Sequence, residues 1–196
     1  MIQVNPHEDV VCYGEGITLN VRNLNGQVRG QWVYDLRVEA DPEIGGYTEG
    51  RTYTTPVNLT ETLTNSGTER HKVVYTFIPR IVPGDGGADC IGEEEVVTIW
   101  VHPRVQYVTD ISMYNGFNVS CYGKSNGYIH LELSQNLAPY NFVWDGPRGF
   151  SGNTEDISGL VAGTYTVTIT DVNNCSVSDT FELDQPERFS MTIDPS

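Results

Sequence analysis

The sequence predicts an all-β protein made of two antiparallel β-sandwiches in tandem, over residues 1–104 and 105–196. Three observations predict it. Apolar residues recur with a period of two in run after run, and no stretch sustains the i, i+3, i+4, i+7 spacing of an amphipathic helix. A cysteine-centred word also occurs twice, as Val11-Cys12-Tyr13-Gly14 and Ser120-Cys121-Tyr122-Gly123, the second beginning 109 residues after the first. That spacing is a repeat of organisation, with the boundary near Pro103-Arg104-Val105.

In the first unit Ile17, Leu19 and Val21 alternate with Thr18, Asn20 and Arg22. Val73, Tyr75 and Phe77 alternate with Val74 and Thr76, and Val97, Ile99 and Val101 with Thr98, Trp100 and His102. In the second unit Ile129, Leu131 and Leu133 alternate, as do Tyr165, Val167 and Ile169 with Thr164, Thr166 and Thr168. Runs of β-branched and aromatic residues bounded by Gly, Asn, Asp and Pro read as antiparallel strands with one buried face. Trp144 is in step with Phe142, so its ring is expected in the core between the sheets. Tyr165 follows the Gly163 turn at the start of a Thr-rich strand, the setting of a tyrosine corner whose hydroxyl caps backbone upstream. Phe189-Ser190-Met191-Thr192-Ile193 alternates again after Pro186. It is read either as the last strand of the second unit or as the start of a further module at 187–196.

Composition narrows the function. The chain of 196 residues carries 11 Lys+Arg against 26 Asp+Glu, a net charge of −15. The halves share this evenly, at −7 and −8. Phosphate binding needs clustered cations, so nucleic acid is not an expected partner, and neither is a membrane held by a polybasic anchor. No run of about 18 apolar residues exists, so no spanning helix is expected. Met1–Pro6 has neither the basic nor the apolar region of a leader. The chain therefore reads as cytosolic or as a piece of a longer exported protein.

The cysteines favour export. Cys12, Cys90, Cys121 and Cys175 contain no C-x-x-C pair, so zinc ribbons and thioredoxin-like sites are not indicated. Three pairings are open. The economical one is Cys12–Cys90 with Cys121–Cys175, one bridge inside each unit, and the bland alternative is four buried thiols. Bridges fit a small β module in an oxidising, extracellular setting.

No catalytic constellation emerges, and the chain is not expected to be an enzyme. His7, His71, His102 and His130 are scattered, and no H-E-x-x-H, G-x-S-x-G or P-loop is present. No cofactor is expected, with calcium the one candidate. Its site would be the acidic loop Pro83–Glu95, through Asp85, Asp89 and Glu93, because Gly-rich loops turn carbonyls inward beside carboxylates. The D-x-[DN]-x-[DN]-G spacing is absent, so a solvated loop is the favoured reading. A weaker set is Asp145, Glu155, Asp156 and Asp171. Trp100 is out of phase with Val97, Ile99 and Val101 and is expected on the outer face, as a contact for a neighbouring module or a ligand. Trp32 is ambiguous.

The stretch Cys121-Tyr122-Gly123, Asn126-Gly127-Tyr128-Ile129, Ala138-Pro139-Tyr140-Asn141-Phe142-Val143-Trp144, Leu160, Gly163-Thr164-Tyr165-Thr166-Val167, Asp171, Asn174-Cys175 resembles a SprB repeat over about residues 119–186. Its Trp144–Glu155 loop is longer than that pattern has. Residues 10–103 are similar to PKD-like modules, through Glu61-Thr62-Leu63-Thr64-Asn65, Val74-Tyr75-Thr76-Phe77-Ile78-Pro79, Cys90-Ile91-Gly92 and Val97-Thr98-Ile99-Trp100-Val101-His102-Pro103. These resemblances imply immunoglobulin-like modules of large surface adhesins of gliding Bacteroidota. They further imply type IX secretion, display at the cell surface, and a role in adhesion and gliding motility. The expected partners are neighbouring modules of the same chain and an extracellular surface or polysaccharide. Two rival roles are a glycan- or calcium-binding module and an accessory domain of a secreted hydrolase.

Overall fold

The computed structural model describes residues 2–5, 8–23, 29–54, 56, 58–133 and 137–192. The chain divides into two compact units, Met1–Arg104 and Val105–Ser196. Apart from a 3-10 turn at Pro147–Gly149, no helix occurs among the described residues.

The first unit opens with β1 (Ile2–Asn5), β2 (Glu8–Val11), β3 (Gly16–Asn23) and β4 (Gln31–Ala40). There follow β5 (Ile44–Gly45), β6 (Thr52–Tyr53), β7 (Asn58–Thr62) and β8 (Thr64–Asn65). It closes with β9 (His71–Val82), β10 (Cys90–Ile91) and β11 (Glu95–Val101). One main sheet has the order β1-β3-β7 and the other β2-β11-β9-β4-β6, with β10 added to β9, while β5 and β8 pair as a small two-stranded ribbon. The long β9 is the spine, paired with β11 on one side and β4 on the other. Alternation decides what lies between the sheets: Ile17, Leu19, Val21, Val73, Tyr75, Phe77, Val97, Ile99 and Val101 form one core with Leu36 and Tyr34. Gly46, at φ +80°, lets the segment after β5 press onto β7, where a Cβ would stand 2.0 Å from the Thr62 carbonyl oxygen.

The second unit contains β12 (Tyr107–Ile111), β13 (Gly127–Leu133), β14 (Asn141–Gly146) and β15 (Phe150–Gly152). It continues with β16 (Ile157–Leu160), β17 (Gly163–Thr170) and β18 (Ser176–Leu183). Its sheets are β12-β13-β16 and β15-β14-β17-β18. Ile129, Leu131, Phe142, Trp144, Tyr165, Val167 and Ile169 face inward together. Outward, the side-chain hydroxyls pair across β17 and β18, Thr166 with Thr180 at 3.4 Å and Thr168 with Ser178 at 2.8 Å.

The structure corrects the sequence reading in three places. The sandwiches are not wholly antiparallel: β2 runs parallel to β11, with Val10 opposite Trp100 and Val11 opposite Val101. The chain enters through β1, which pairs with β3 of one sheet, and then supplies β2 to the edge of the other. The sequence has Pro6 between the two strands, and a proline has no N–H to continue a ladder.

The second correction concerns the cysteines. Cys12 and Cys175 are disulfide-bonded, whereas Cys90 and Cys121 are exposed free thiols. Neither Cys12–Cys90 nor Cys121–Cys175 exists, and the strand registers show why. Cys12 follows Val11, which lies level with Val101 and His71 at one end of β9, while Cys90 pairs with Ile81 near the other. Ten strand residues separate those ends, on the order of 30 Å at the rise of a β-strand. A disulfide needs Cα atoms within about 7 Å. In the second unit Cys175 precedes the first residue of β18, while the Cys121 turn lies past its last. There Val119 N–H donates to Asp184 O and Gly123 N–H to Gln185 Oε1. The length of β18 holds the two sulfurs apart.

Third, the described part of 189–193 does not close the second sandwich. Residues 184–192 join no strand, and Phe189 and Met191 are 90% and 76% exposed. Ile193 lies outside the described residues, as does His7.

Candidate functional site

The acidic loop is held by a cation rather than arranged around one. Main-chain pairing of Cys90 with Ile81 and a Gly92 N–H···O=C Pro79 bond of 2.8 Å fold it back on β9. Arg80 reaches outward from β9, donating from Nε to Asp35 at 2.9 Å and from a terminal nitrogen to Asp89 at 2.5 Å. Thr52 donates to the other oxygen of Asp35. That hydroxyl bond, with Arg80 after it, holds the Asp35 carboxyl below the usual carboxylate range. Asp85 accepts the Gly87 N–H at 3.1 Å, closing its own turn, and Glu93 is exposed. Asp85, Asp89 and Glu93 are therefore not brought together, and no group of three His, Cys, Asp or Glu side chains converges among the described residues. The second acidic set is also dispersed. Asp156 meets His130 Nδ1 at 2.6 Å and the Leu131 N–H at 3.2 Å. Asp171 accepts the N–H groups of Asn173 and Cys175.

The aromatic candidates divide by face. Trp144 is fully buried and its indole N–H donates to Thr154 O at 2.9 Å. Tyr165 is 1% exposed and its hydroxyl donates to Val161 O at 3.0 Å, the corner geometry. Trp32 packs partly buried on the first core, 5.4 Å from the Tyr34 ring. Trp100 is half-buried on the outer face of β11, in register with Lys72 and Val10. The Arg70 guanidinium lies 4.8 Å from the centre of its ring and the Lys72 ammonium 5.7 Å.

Two features escape a reading of the sequence for motifs. One is this pair of cations, which β9–β11 pairing brings over Trp100. The other is Glu61, which takes an inward position of β7 and is 3% exposed. Its Oε2 accepts the Thr48 N–H at 3.0 Å, while its Oε1 has no partner. The hydroxyls of Tyr75 and Tyr34 are likewise buried and unpaired. Burial pushes the Glu61 carboxyl above its usual range against the pull of Thr48 and Arg51. The same cause pushes the Tyr34 phenol up to about 12 and raises that of Tyr75, the latter with help from Glu61. The available signal was phase: Glu61 is in step with Leu59 and Leu63, both buried.

The cysteine assignment has a direct chemical test. Without reductant, iodoacetamide is expected to alkylate Cys90 and Cys121 in the folded chain and to leave Cys12 and Cys175 unmodified. Peptide mass mapping reads the result, and blocked labelling at Cys90 or Cys121 would restore the bridges inferred from sequence.

Residues 4–105 match the model of the PKD-like domain. No curated protein sequence matches the chain. Among solved structures, similarity extends to a chaperone–tip adhesin complex of CFA/I fimbriae, at 9% identity and a TM-score of 0.38, covering 92% of this chain and 98% of that one. The C-terminal 282-residue fragment of intimin, solved in complex with the intimin-binding domain of its translocated receptor, is 16% identical. Its TM-score is 0.44, over 93% of this chain and 63% of that one. Domains 3 and 4 of rat CD4 are 9% identical at a TM-score of 0.33, over 90% and 98%. The family match spans more than half of the sequence, and the chain belongs to the PKD-like domain family.

Proposed function

We propose that this chain is a structural segment of a large cell-surface adhesin filament and performs no catalysis. Membership of the PKD-like family over residues 4–105 carries the reading. The resemblance of residues 119–186 to a SprB repeat supports it and extends it to gliding motility and type IX secretion. The role is mechanical. Each compact unit is a sandwich of paired strands closed on its own apolar core, and paired strands resist extension along the chain. Neighbouring modules and an extracellular surface are the partners. The net charge of −15 keeps adjacent filaments apart. No cofactor belongs to this reading, and calcium is not required by it. Antibody raised against the chain is expected to label intact cells of the producing organism and to lose its target after mild surface proteolysis. Labelling only after lysis would overturn the proposal.

A further inference from the structure

The patch around Trp100 is cationic on an acidic chain. Acidic residues outnumber Lys and Arg by 26 to 11, yet Arg70 and Lys72 converge on one indole. Neither makes an ion pair with a carboxylate among the described residues. The nearby Asp41 accepts the main-chain N–H of Lys72 at 3.0 Å and meets His71 at 3.4 Å, and it feels the Lys72 charge without forming an ion pair with it. Two like charges over one ring repel each other, and an anion placed between them relieves that repulsion.

The surroundings define the shape of the anion's carrier. Val10, Trp100 and Lys72 stand abreast on three adjoining strands, with Val10 47% exposed. At the spacing of neighbouring strands this row is about 10 Å long, flat, apolar at one end and cationic at the other. Trp100 sits on a strand already paired on both sides, to β2 and β9. A peptide adding at the outer edge of β2 would lie a full strand away from Trp100, so β-augmentation does not reach the indole itself. A ligand recognised here must be read by side-chain faces alone. A pyranose ring offers C–H groups to an indole, and a carboxylate on that ring offers two oxygens to a guanidinium.

We propose that Trp100, Arg70 and Lys72 form a binding site for an acidic polysaccharide whose sugars carry carboxylates. The two cations over Trp100 take the uronate, and Val10 with the exposed part of the indole forms the apolar platform for the C–H groups of the sugar. The proposal deepens the adhesive reading and rests on it. Failure of this binding leaves surface display, measured by antibody labelling, standing.

The test is calorimetric titration of the full chain with hexagalacturonate, the neutral cellohexaose and poly-L-glutamate. Hexagalacturonate is expected to bind best, with affinity falling as salt screens the cations. The double variant Arg70→Gln/Lys72→Gln alters only exposed side chains and is expected to weaken binding by about tenfold or more, and Trp100→Ala likewise. Absence of binding to the native chain overturns the proposal. So does equal affinity for cellohexaose or poly-L-glutamate, or unchanged affinity in the double variant.

Discussion

Replacing Trp144 by alanine is expected to destabilise the second unit by about 3–5 kcal/mol, the cost of emptying a large aromatic site in a close-packed core. The site has little freedom to collapse. Trp144 lies on β14 between Val167 of β17 and Gly152 of β15, so ladders on both sides fix its backbone. Its ring faces Phe181 at 5.9 Å, and its N–H satisfies the Thr154 carbonyl in the short link between β15 and β16. Alanine removes the ring and leaves that carbonyl to find water. Trp144→Phe keeps much of the ring but loses the donor and part of the volume, and is expected to cost less than the alanine variant. Urea unfolding of the full chain should be analysed as two transitions, since one two-state fit does not describe a chain of two units. A loss below 1 kcal/mol for the alanine variant would mean that Trp144 is not the keystone of this core.

Glu61 gives the second large effect, and its sign is opposite to that of an ordinary surface carboxylate. Its pKa is raised in the folded state by burial. A group of this kind contributes stability that is fully present below the unfolded pKa, about 4.3 for Glu, and is lost as pH rises through the folded value. The first unit is therefore expected to lose melting temperature between pH 4 and neutrality on account of this one side chain. Glu61→Gln keeps an acceptor for the Thr48 N–H and carries no charge. It should melt higher than the native chain at pH 7 and match it at pH 4. Glu61→Ala should instead lose stability at both, by about 1–3 kcal/mol from the stranded Thr48 N–H alone, because the segment after Gly46 is tied to β7 through that bond. A Gln variant with the native pH profile would show that Glu61 is not the group responsible.

The strands were legible where a sequence of one phase meets a single buried face. Ile17-Leu19-Val21, Val97-Ile99-Val101 and Tyr165-Val167-Ile169 all point inward because a pleated strand alternates strictly. What pattern does not encode is which end of a sandwich a residue occupies. The two cysteine words mark similar turns, but their supposed partners lie a strand-length away, and no local spacing reports that. The parallel β2–β11 pair was hidden for a related reason: the direction of an edge strand depends on where the chain changes sheets. Arg70 and Lys72 read as an ordinary charged stretch until β9 is set in register with β11, and only then does the indole acquire its two cations. Glu61 reads as one more acid in an acidic chain unless its phase is weighed against its type.

The parallel alignment of β2 with β11 has a consequence for a chain under tension. One strand belongs to the entry of the first unit and the other leads to its exit. Once the disulfide at Cys12 is reduced, so that it no longer carries load away at the end of β2, force passing through the unit drags them in opposite senses along a shared axis. Their rungs, continued by the His102 N–H to the Val11 carbonyl at 2.9 Å, are then strained together in shear instead of parting one after another like a zip.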